Sequence, residues 1–380
     1  MACTFGQAGV PAFGSWATPG TVGYLGLLSN LIEIDPTTGT GTSFQITGPN
    51  ELGTTVTSTW TWNFSSGALS GGFPTTGSTG VEAARCNDDY PAIIDGYYIR
   101  GPLWYGGSGV LHIKNSVIDG SPISANISAT QNTGYNSPNY NDGTVPPSVG
   151  IWTGGLKGWC INAPASNGTV IIENSTIKTG SPGFGTPPSQ INNGPIFVVG
   201  GGYIQMSQCD ISGIGQGSYP LTPPGSMKQC YIHGFHFDTG MGNPAHLDGC
   251  FIAGTGTGFC DVWQCYIDGP AGSSQVTASL FCQNTGENIL IPQIRVYANY
   301  FNMTGGFGTG YCLRNQSGQQ MDVQNNSFPI GAVATTEIQH SGYTRATYLS
   351  ETMVSGIRTL GQGNLCRDNN YVPIVDVNNS

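Results

Sequence analysis

A short motif recurs along the chain and limits its fold more than any other feature. It reads apolar–x–Asn/Gln–Cys/Ser–aromatic–Ile–x–Gly. Alternation along a strand puts the Ile and the Cys or Ser two residues before it on one face, and the Ile makes that face the core. A β-solenoid typically repeats such a strand once in every turn of the chain, and each turn is called a rung here. The apolar anchors of the motif are Ile99, Ile118, Ile177, Ile211, Ile232, Ile252, Ile267, Phe301 and Phe328.

The motif predicts an all-β fold, a single-stranded right-handed parallel β-helix. Asn and Gln before the strands suit a bend at which side-chain amides stack between rungs. The long interval from Ile118 to Ile177 requires either a missed rung or an insertion, and residues 121–150 read as a surface loop. We expect a small β-rich module for attachment or capping at residues 1–80, the β-helix at 81–330 and a C-terminal cap at 331–380.

Composition excludes several classes of partner. The chain is 8% charged with a formal net charge of −10, and its 17 Tyr, 15 Phe and 7 Trp indicate a folded protein. Only 11 Lys and Arg argue against nucleic acid, whereas neutral glycans are compatible. No stretch approaches the roughly 20 apolar residues of a membrane span. The N-terminus lacks the features of a Sec-type signal, so we expect another route out of the cell, such as carriage on a virus particle.

Four cysteines precede anchors by two residues and are expected to point inward as a core ladder: Cys209, Cys230, Cys250 and Cys265. Other rungs place Ser116, Ser175, Asn299 and Asn326 there. Buried free thiols are the favoured interpretation because a small thiol packs well in a narrow solenoid, and disulfides between rungs are the alternative. The chain has no CxxC motif, so the sequence predicts no metal site and no cofactor.

The densest polar cluster supplies the candidate catalytic residues His233, His236, His246 and Asp248. A histidine beside a carboxylate can act as a general acid or base, and the alternative is a polar outward face or a turn. Glycoside hydrolysis requires a carboxylate pair, which spacing alone does not identify. The candidates for it are Asp95, Asp119, Asp210, Asp261 and Asp268.

A row of aromatic residues directly precedes anchors, on the face opposite the core. Such a row can bind sugars or pack against protein, because amphipathic rings suit both. The sequence therefore predicts a glycan- or partner-binding row, with a covering loop or a neighbouring protomer as the alternative. Its members are Tyr98, Tyr231, Phe251, Tyr266 and Tyr300.

The repeated strands resemble the pectate-lyase-like right-handed β-helix superfamily over residues 90–330. The Cys230–Gly234 rung followed by His246-Leu247-Asp248-Gly249 resembles the HxDG segment of β-helix proteins of actinobacteria and their phages. Those phage proteins are usually minor tail proteins, fibres or spikes. Pectate lyases of the superfamily use Ca²⁺ held by Asp and an arginine base. None of Arg85, Arg100, Arg295 and Arg314 lies near an obvious Asp cluster in the sequence.

The resemblance implies a virion structural protein that contacts the host envelope. Its expected partners are other virion proteins, a host surface glycan and further copies of the chain in a homotrimer. Two alternatives stay open, since β-helices host enzymes and inert fibres alike. One is a polysaccharide-cleaving lyase or hydrolase that uses the histidine cluster, and the other is a non-catalytic glycan-binding module that uses the aromatic row.

Overall fold

The structure is a computed structural model. It describes residues 11–12, 14–34, 42–49, 53–62, 81–83, 93–100, 103–105, 110–119, 161–163, 169–178, 196–198, 203–212, 224–234, 247–252, 258–268, 276–282, 291, 293–302, 311–315, 321–330, 336–338, 357–359, 365–367 and 370–373.

The protein is all-β, with long parallel sheets. The only helical element within the described ranges is the 3-10 turn Leu28–Asn30. In chain order the strands are β1 (Ile32–Ile34), β2 (Thr42–Pro49), β3 (Thr55–Trp62), β4 (Val81–Ala83), β5 (Ile93–Asp95), β6 (Tyr97–Arg100), β7 (Leu103–Tyr105), β8 (Val110–Lys114), β9 (Val117–Asp119), β10 (Ile161–Ala163), β11 (Thr169–Glu173), β12 (Thr176–Lys178), β13 (Ile196–Val198), β14 (Tyr203–Ser207), β15 (Asp210–Ser212), β16 (Ser226–Lys228), β17 (Tyr231–His233), β18 (Leu247–Ile252), β19 (Phe259–Trp263), β20 (Tyr266–Asp268), β21 (Val276–Cys282), β22 (Gln293–Tyr297), β23 (Tyr300–Asn302), β24 (Tyr311–Asn315), β25 (Met321–Gln324), β26 (Ser327–Ile330), β27 (Thr336–Ile338), β28 (Ile357–Thr359), β29 (Leu365–Arg367) and β30 (Asn370–Pro373).

Four of the five sheets are parallel, and each rung supplies strands to different sheets. The ten-stranded sheet has the order β1-β6-β9-β12-β15-β17-β20-β23-β26-β30, and the nine-stranded sheet has the order β29-β25-β22-β19-β16-β14-β11-β8-β5. A four-stranded sheet (β13-β10-β7-β4) and a five-stranded sheet (β18-β21-β24-β27-β28) are also parallel, whereas β2 and β3 form an antiparallel pair. The prediction of an all-β fold of stacked parallel strands is confirmed.

The predicted anchors stack in register along the ten-stranded sheet. Ile99 pairs with Ile118, and each anchor pairs with the next one up to Ile267 and Phe301, with one exception. Their side chains are almost completely buried, as a core row requires. Ile118 pairs directly with Ile177. The long interval between them is therefore an insertion between adjacent rungs.

The exception is Ile252, which lies in β18 of the five-stranded sheet and pairs with Cys282. In the ten-stranded sheet Ile232 pairs directly with Ile267. The segment before Ile252 imitates the motif because it also belongs to a buried strand. It lacks the corner residue with positive φ that precedes the other strands. Cys250 is a buried free thiol, as predicted, and it pairs with Leu280 in the five-stranded sheet, apart from the row that Cys209, Cys230 and Cys265 form.

From β8 to β26, a two-residue corner joins a strand of the nine-stranded sheet to the following strand of the ten-stranded sheet, and Gly96 alone separates β5 from β6. The first corner residue adopts left-handed backbone, with φ between 47° and 56° when it is not glycine. That conformation costs an L-residue about 1–2 kcal/mol, least for Asn. These residues are Asn115, Asn174, Gln208, Gln229, Gln264, Ala298 and Asn325, with Gly96 in the first corner.

The second corner residue is fully buried, and its backbone N–H donates to a side chain of the next rung. The Ser116 N–H donates to Ser175 Oγ at 3.2 Å, and the Cys265 N–H donates to Asn299 Oδ1 at 2.8 Å. The thiol of Cys230 accepts from the Cys209 backbone in the same way. A buried N–H without an acceptor costs about 1–3 kcal/mol, so this position selects small side chains that carry one. The ladder comprises Ser116, Ser175, Cys209, Cys230, Cys265, Asn299 and Asn326, all 0% exposed.

Six of the seven ladder side chains also donate within their own rung, whereas Asn299 Nδ2 donates to the Val262 carbonyl of the preceding rung at 2.8 Å. Ser175 Oγ donates to the Glu173 carbonyl at 2.7 Å, and Cys230 Sγ donates to the Lys228 carbonyl at 3.3 Å. Hydroxyl, thiol and amide are therefore interchangeable here because each both donates and accepts. Side-chain amides of adjacent rungs meet, as expected, at two places among the described residues: Asn299 Nδ2 donates to Asn326 Oδ1 at 2.9 Å, and Gln208 Nε2 lies 3.5 Å from Gln229 Oε1.

The six cysteines whose side chains the structure describes are buried free thiols: Cys209, Cys230, Cys250, Cys260, Cys265 and Cys282. Burial raises the pKa of the Cys209, Cys260 and Cys265 thiols. Buried thiols with a raised pKa stay neutral and are poor nucleophiles, so the role of these three is packing and hydrogen bonding.

An N-terminal strap, residues 11–34, runs along the corners from the last rungs to the first. Asn325 Nδ2 donates to the Pro11 carbonyl at 2.9 Å, and the Ala17 N–H donates to the Gln264 carbonyl at 2.7 Å. Further along, the Gly23 N–H donates to the Gln208 carbonyl at 2.8 Å. The strap thus uses corner carbonyls and amides that face away from the core. It ends in β1, where Ile32 to Ile34 pair with β6.

The division into units at residues 80 and 330 stays a prediction. Within residues 1–80 the strap contacts the rungs directly, through hydrogen bonds to corners as far along the chain as Asn325.

Replacing Cys230 should separate packing from hydrogen bonding in the ladder. We expect Cys230→Val, which keeps the volume but removes the acceptor for the Cys209 N–H, to lower the free energy of unfolding by about 1–3 kcal/mol. Cys230→Ser keeps both functions and should cost clearly less. Urea denaturation of the purified variants measures the difference, and equal losses would contradict the ladder as an energetic requirement.

Gly23 should hold the strap on the corner. Its φ is +88°, and a Cβ there would lie 2.6 Å from Asp210 Cβ and 2.8 Å from Thr176 Oγ1. Gly20 is the matched control because its φ is +79° but a Cβ would meet nothing within 4 Å. We expect Gly23→Ala, and not Gly20→Ala, to abolish hydrogen-exchange protection of residues 15–25. Retained protection in Gly23→Ala would show that the strap does not depend on this close approach.

Candidate functional site

His233 forms a hydrogen-bonded pair with a carboxylate on the outer face of the ten-stranded sheet. Its Nε2 lies 2.7 Å from Asp210 Oδ1 on the neighbouring strand β15. Both side chains are about a quarter to a third exposed, at 30% and 26%. The pair forms because β15 and β17 stack in register, with Asp210 beside Tyr231 and Ser212 beside His233. A carboxylate that holds an imidazole in this way fixes the orientation of the ring.

Tyr231 completes this cluster. Its ring stacks on His233 with centroids 4.1 Å apart and an interplanar angle of 12°. Burial raises the pKa of the Tyr231 hydroxyl, and the carboxylates of Asp268 and Asp210 raise it further. The phenol therefore stays protonated and able to donate a hydrogen bond. The arrangement can bind a polar group and transfer a proton through His233.

Of the four predicted catalytic residues, the structure describes His233 and the backbone of Asp248. His236 and His246 lie outside the described residues. Asp248 belongs to β18 in the five-stranded sheet, whereas His233 belongs to β17 in the ten-stranded sheet. The described carboxylate partner of His233 is Asp210, which the sequence offered only as one of five candidates.

The other aspartates from that candidate set are engaged in ion pairs or hydrogen bonds. Asp119 Oδ2 accepts from Lys178 Nζ at 2.9 Å and from the Tyr98 hydroxyl at 3.1 Å. Asp95 lies 3.1 Å from Lys114. Asp268 interacts with Tyr231. These carboxylates stabilise the outer surface of the rungs.

The aromatic row continues across three adjacent strands. Tyr231 contacts Tyr266 edge-on with centroids 5.3 Å apart, and Tyr266 contacts Tyr300 at 4.9 Å. Trp16 of the strap lies on Tyr300 at 5.2 Å. The strap therefore extends the row with its own indole.

The remaining two members of the predicted row are buried. Tyr98 is 6% exposed because Leu31 of the strap packs on it together with Val117. Phe251 is 5% exposed and packs edge-on against Phe281 in the five-stranded sheet. At Tyr98 and Tyr300 the structure favours the alternative of a covering segment, and that segment is the chain's own N-terminus.

Sequence reasoning missed a second cluster, on the outer face of the nine-stranded sheet. Arg295 makes a bidentate pair with Asp261 through Nε at 2.7 Å and Nη2 at 2.8 Å. Asp261 is only 6% exposed, and Lys228 Nζ approaches it at 3.7 Å. The sequence does not reveal this pair, because Asp261 and Arg295 are distant in the chain and become neighbours only when β19 and β22 pair.

Aromatic rings surround this ion pair. The Arg295 guanidinium lies 3.8 Å from the Phe259 ring centroid, and Lys228 Nζ lies 4.6 Å from that of Trp263. Trp263 also stacks on Tyr297, and its buried Nε1 has no hydrogen-bond partner among the described atoms. The bidentate bond occupies Arg295, so this arginine is not placed to act as a free base.

Within the described ranges, no group of three or more His, Cys, Asp or Glu side chains is arranged to hold a metal ion. Nor does any helix in those ranges have the length and apolarity to cross a membrane. Comparison with protein-family models, with curated proteins and with solved structures found no match for this chain.

The buried ion pair should matter far more for stability than an exposed one. We expect Arg295→Gln to lower the free energy of unfolding by about 2–4 kcal/mol, because it leaves the buried Asp261 carboxylate without its main partner. Lys114→Gln is the control, since its partner Asp95 has a side chain 45% exposed and the loss should stay below about 1 kcal/mol. Urea midpoints of the two variants test this, and equal losses would contradict it.

Proposed function

We propose that the chain is a single-stranded right-handed parallel β-helix that serves as a virion structural protein. In this proposal it is a minor tail protein, fibre or spike that contacts the host envelope. Residues 81–330 form the rod, residues 1–80 attach it to other virion proteins or cap it, and residues 331–380 cap the other end. The host-facing partner is a surface glycan.

The continuous buried ladder carries this proposal. Seven second-corner side chains, from Ser116 to Asn326, are 0% exposed and satisfy the inward N–H groups of successive rungs. Ten strands spaced about 4.8 Å apart give a stack about 43 Å long. Because the ladder keeps the backbone hydrogen bonds at the corners buried, the stack resists local unfolding and proteolysis. An appendage outside the cell requires this resistance.

The outer face supports a mechanical role as well. The strap covers Tyr98 and contacts Tyr300, and ion pairs occupy Asp119, Asp261 and Asp95. Side chains that a substrate groove would leave available are here used to hold rungs together. This distribution suits a rod better than a catalytic cleft.

The His233–Asp210 pair favours a second candidate, a polysaccharide-cleaving lyase or hydrolase. The imidazole is held by a carboxylate, is partly exposed and lies beside the protonated Tyr231. Host-envelope glycans incubated with the protein would be cleaved, and His233→Ala would abolish cleavage. Glycan binding without cleavage, lost in Tyr231→Ala together with Tyr266→Ala, would indicate the non-catalytic module.

Mass spectrometry of purified phage particles tests the leading proposal. We expect the protein in particles from cells that carry its gene, in a fixed ratio to the other tail proteins, and antibodies against it should label the tail by electron microscopy. Particles from the same cells with the gene deleted are the control, and they should lose labelling and adsorb more slowly to the host. Absence of the protein from the purified particles would overturn the proposal.

A further inference from the structure

The strap carries a cluster of large apolar side chains on its outer side. Leu25 is 66% exposed, Leu27 70%, Leu28 50% and Ile32 59%. They fall within eight consecutive residues, and they account for four of the six exposed large hydrophobics among the residues whose burial is described. We call these four residues the leucine patch. Clusters of this kind, covering a few hundred Å², mark interaction sites on proteins that are otherwise polar.

The backbone beneath the leucine patch is held in place. The Tyr24 N–H donates to Thr176 Oγ1 at 3.0 Å before the patch, and the Ile32 N–H donates to the Gly96 carbonyl at 3.0 Å at its end. Between them the Tyr24 hydroxyl donates to the Leu27 carbonyl at 3.1 Å. Leu31 is directed inward against Tyr98 and Val117. A fixed backbone therefore presents the outward leucines, so docking would cost little ordering entropy.

Charge identifies the kind of partner. The chain carries a formal net charge of −10, so two copies can meet closely only where acidic groups are absent. Residues 24–32, which carry the patch, contain no Asp, Glu, Lys or Arg, and the exposed Glu33 follows them in β1. A different partner would ordinarily be steered and selected by complementary charge, which this surface does not offer. An uncharged apolar patch is complementary to itself.

We propose that the leucine patch is an interface at which copies of this chain associate, patch against patch, around a symmetry axis. Such a contact is isologous in a dimer, and it buries on each copy the same leucines that the isolated chain exposes. The inference concerns the purified chain alone and does not depend on a virion role.

Sedimentation velocity over a wide range of protein concentrations tests the interface. We expect the wild-type chain to associate and Leu27→Ser/Leu28→Ser to weaken association by about tenfold for each leucine. Val110→Asp is the control: Val110 is 44% exposed on β8 of the nine-stranded sheet, so this variant should associate like wild type. Circular dichroism verifies the fold of each variant, and Leu25→Ser/Leu27→Ser replaces the first pair if that variant does not fold.

Three results would overturn the proposal. They are a wild-type chain that stays monomeric at every concentration, a patch variant that associates like wild type, and a control variant that dissociates as much as the patch variant. Association that fails only in the patch variants supports it. A patch-dependent oligomer that is absent from phage particles would leave the interface standing and would remove the proposed virion role.

Discussion

The inward N–H group at each corner is the constraint on which the stack depends. A two-residue corner turns the chain sharply, and the N–H of its second residue then faces an interior from which water is excluded. Side chains of the next rung supply the acceptors, so the requirement passes from Ser175 to Cys209, from Cys209 to Cys230, and onward through Cys265 to Asn299 and Asn326. Buried side chains here do more than fill space. Each rung completes the hydrogen bonding of the rung before it.

The strap supplies hydrogen-bond donors to the backbone carbonyl groups on the outer side of the corners. Left-handed backbone at Gln208 and Gln264 leaves carbonyl groups directed away from the core, and N–H groups of the strap bind them. Gly23 permits the close approach, and Trp16 and Leu31 cover aromatic rings that would otherwise face water. Inner ladder and outer strap together satisfy the corner from both sides. The outer faces of the sheets, away from the corners, carry the ion pairs and the His233–Asp210 pair.

The stacked strands could be predicted because their signal is local. The Ile anchor and the small polar residue two positions before it recur within a few residues, and their register follows directly. Ile252 misled the prediction because a buried strand of another sheet shows the same alternation without the left-handed corner. The contacts of Asp210 with His233, and of Asp261 with Arg295, depend on which strands become neighbours across intervals of 23 and 34 residues. Insertions of unequal length between rungs hide such pairs from any fixed spacing. The strap is harder still to predict, since its partners follow it in the chain by as many as 314 residues.

The reach of the strap also changes how the molecule can mature. The carbonyl of Pro11 meets Asn325, a separation of 314 residues. In a simple solenoid each repeat needs only its neighbours, so one end can be complete while the other is still being synthesised. Here a segment near Pro11 has part of its docking site at Asn325, so that contact cannot form until the rungs between them have been made. The segment must wait until those rungs have been synthesised, and its docking on Asn325 records that the stack between the two residues has formed.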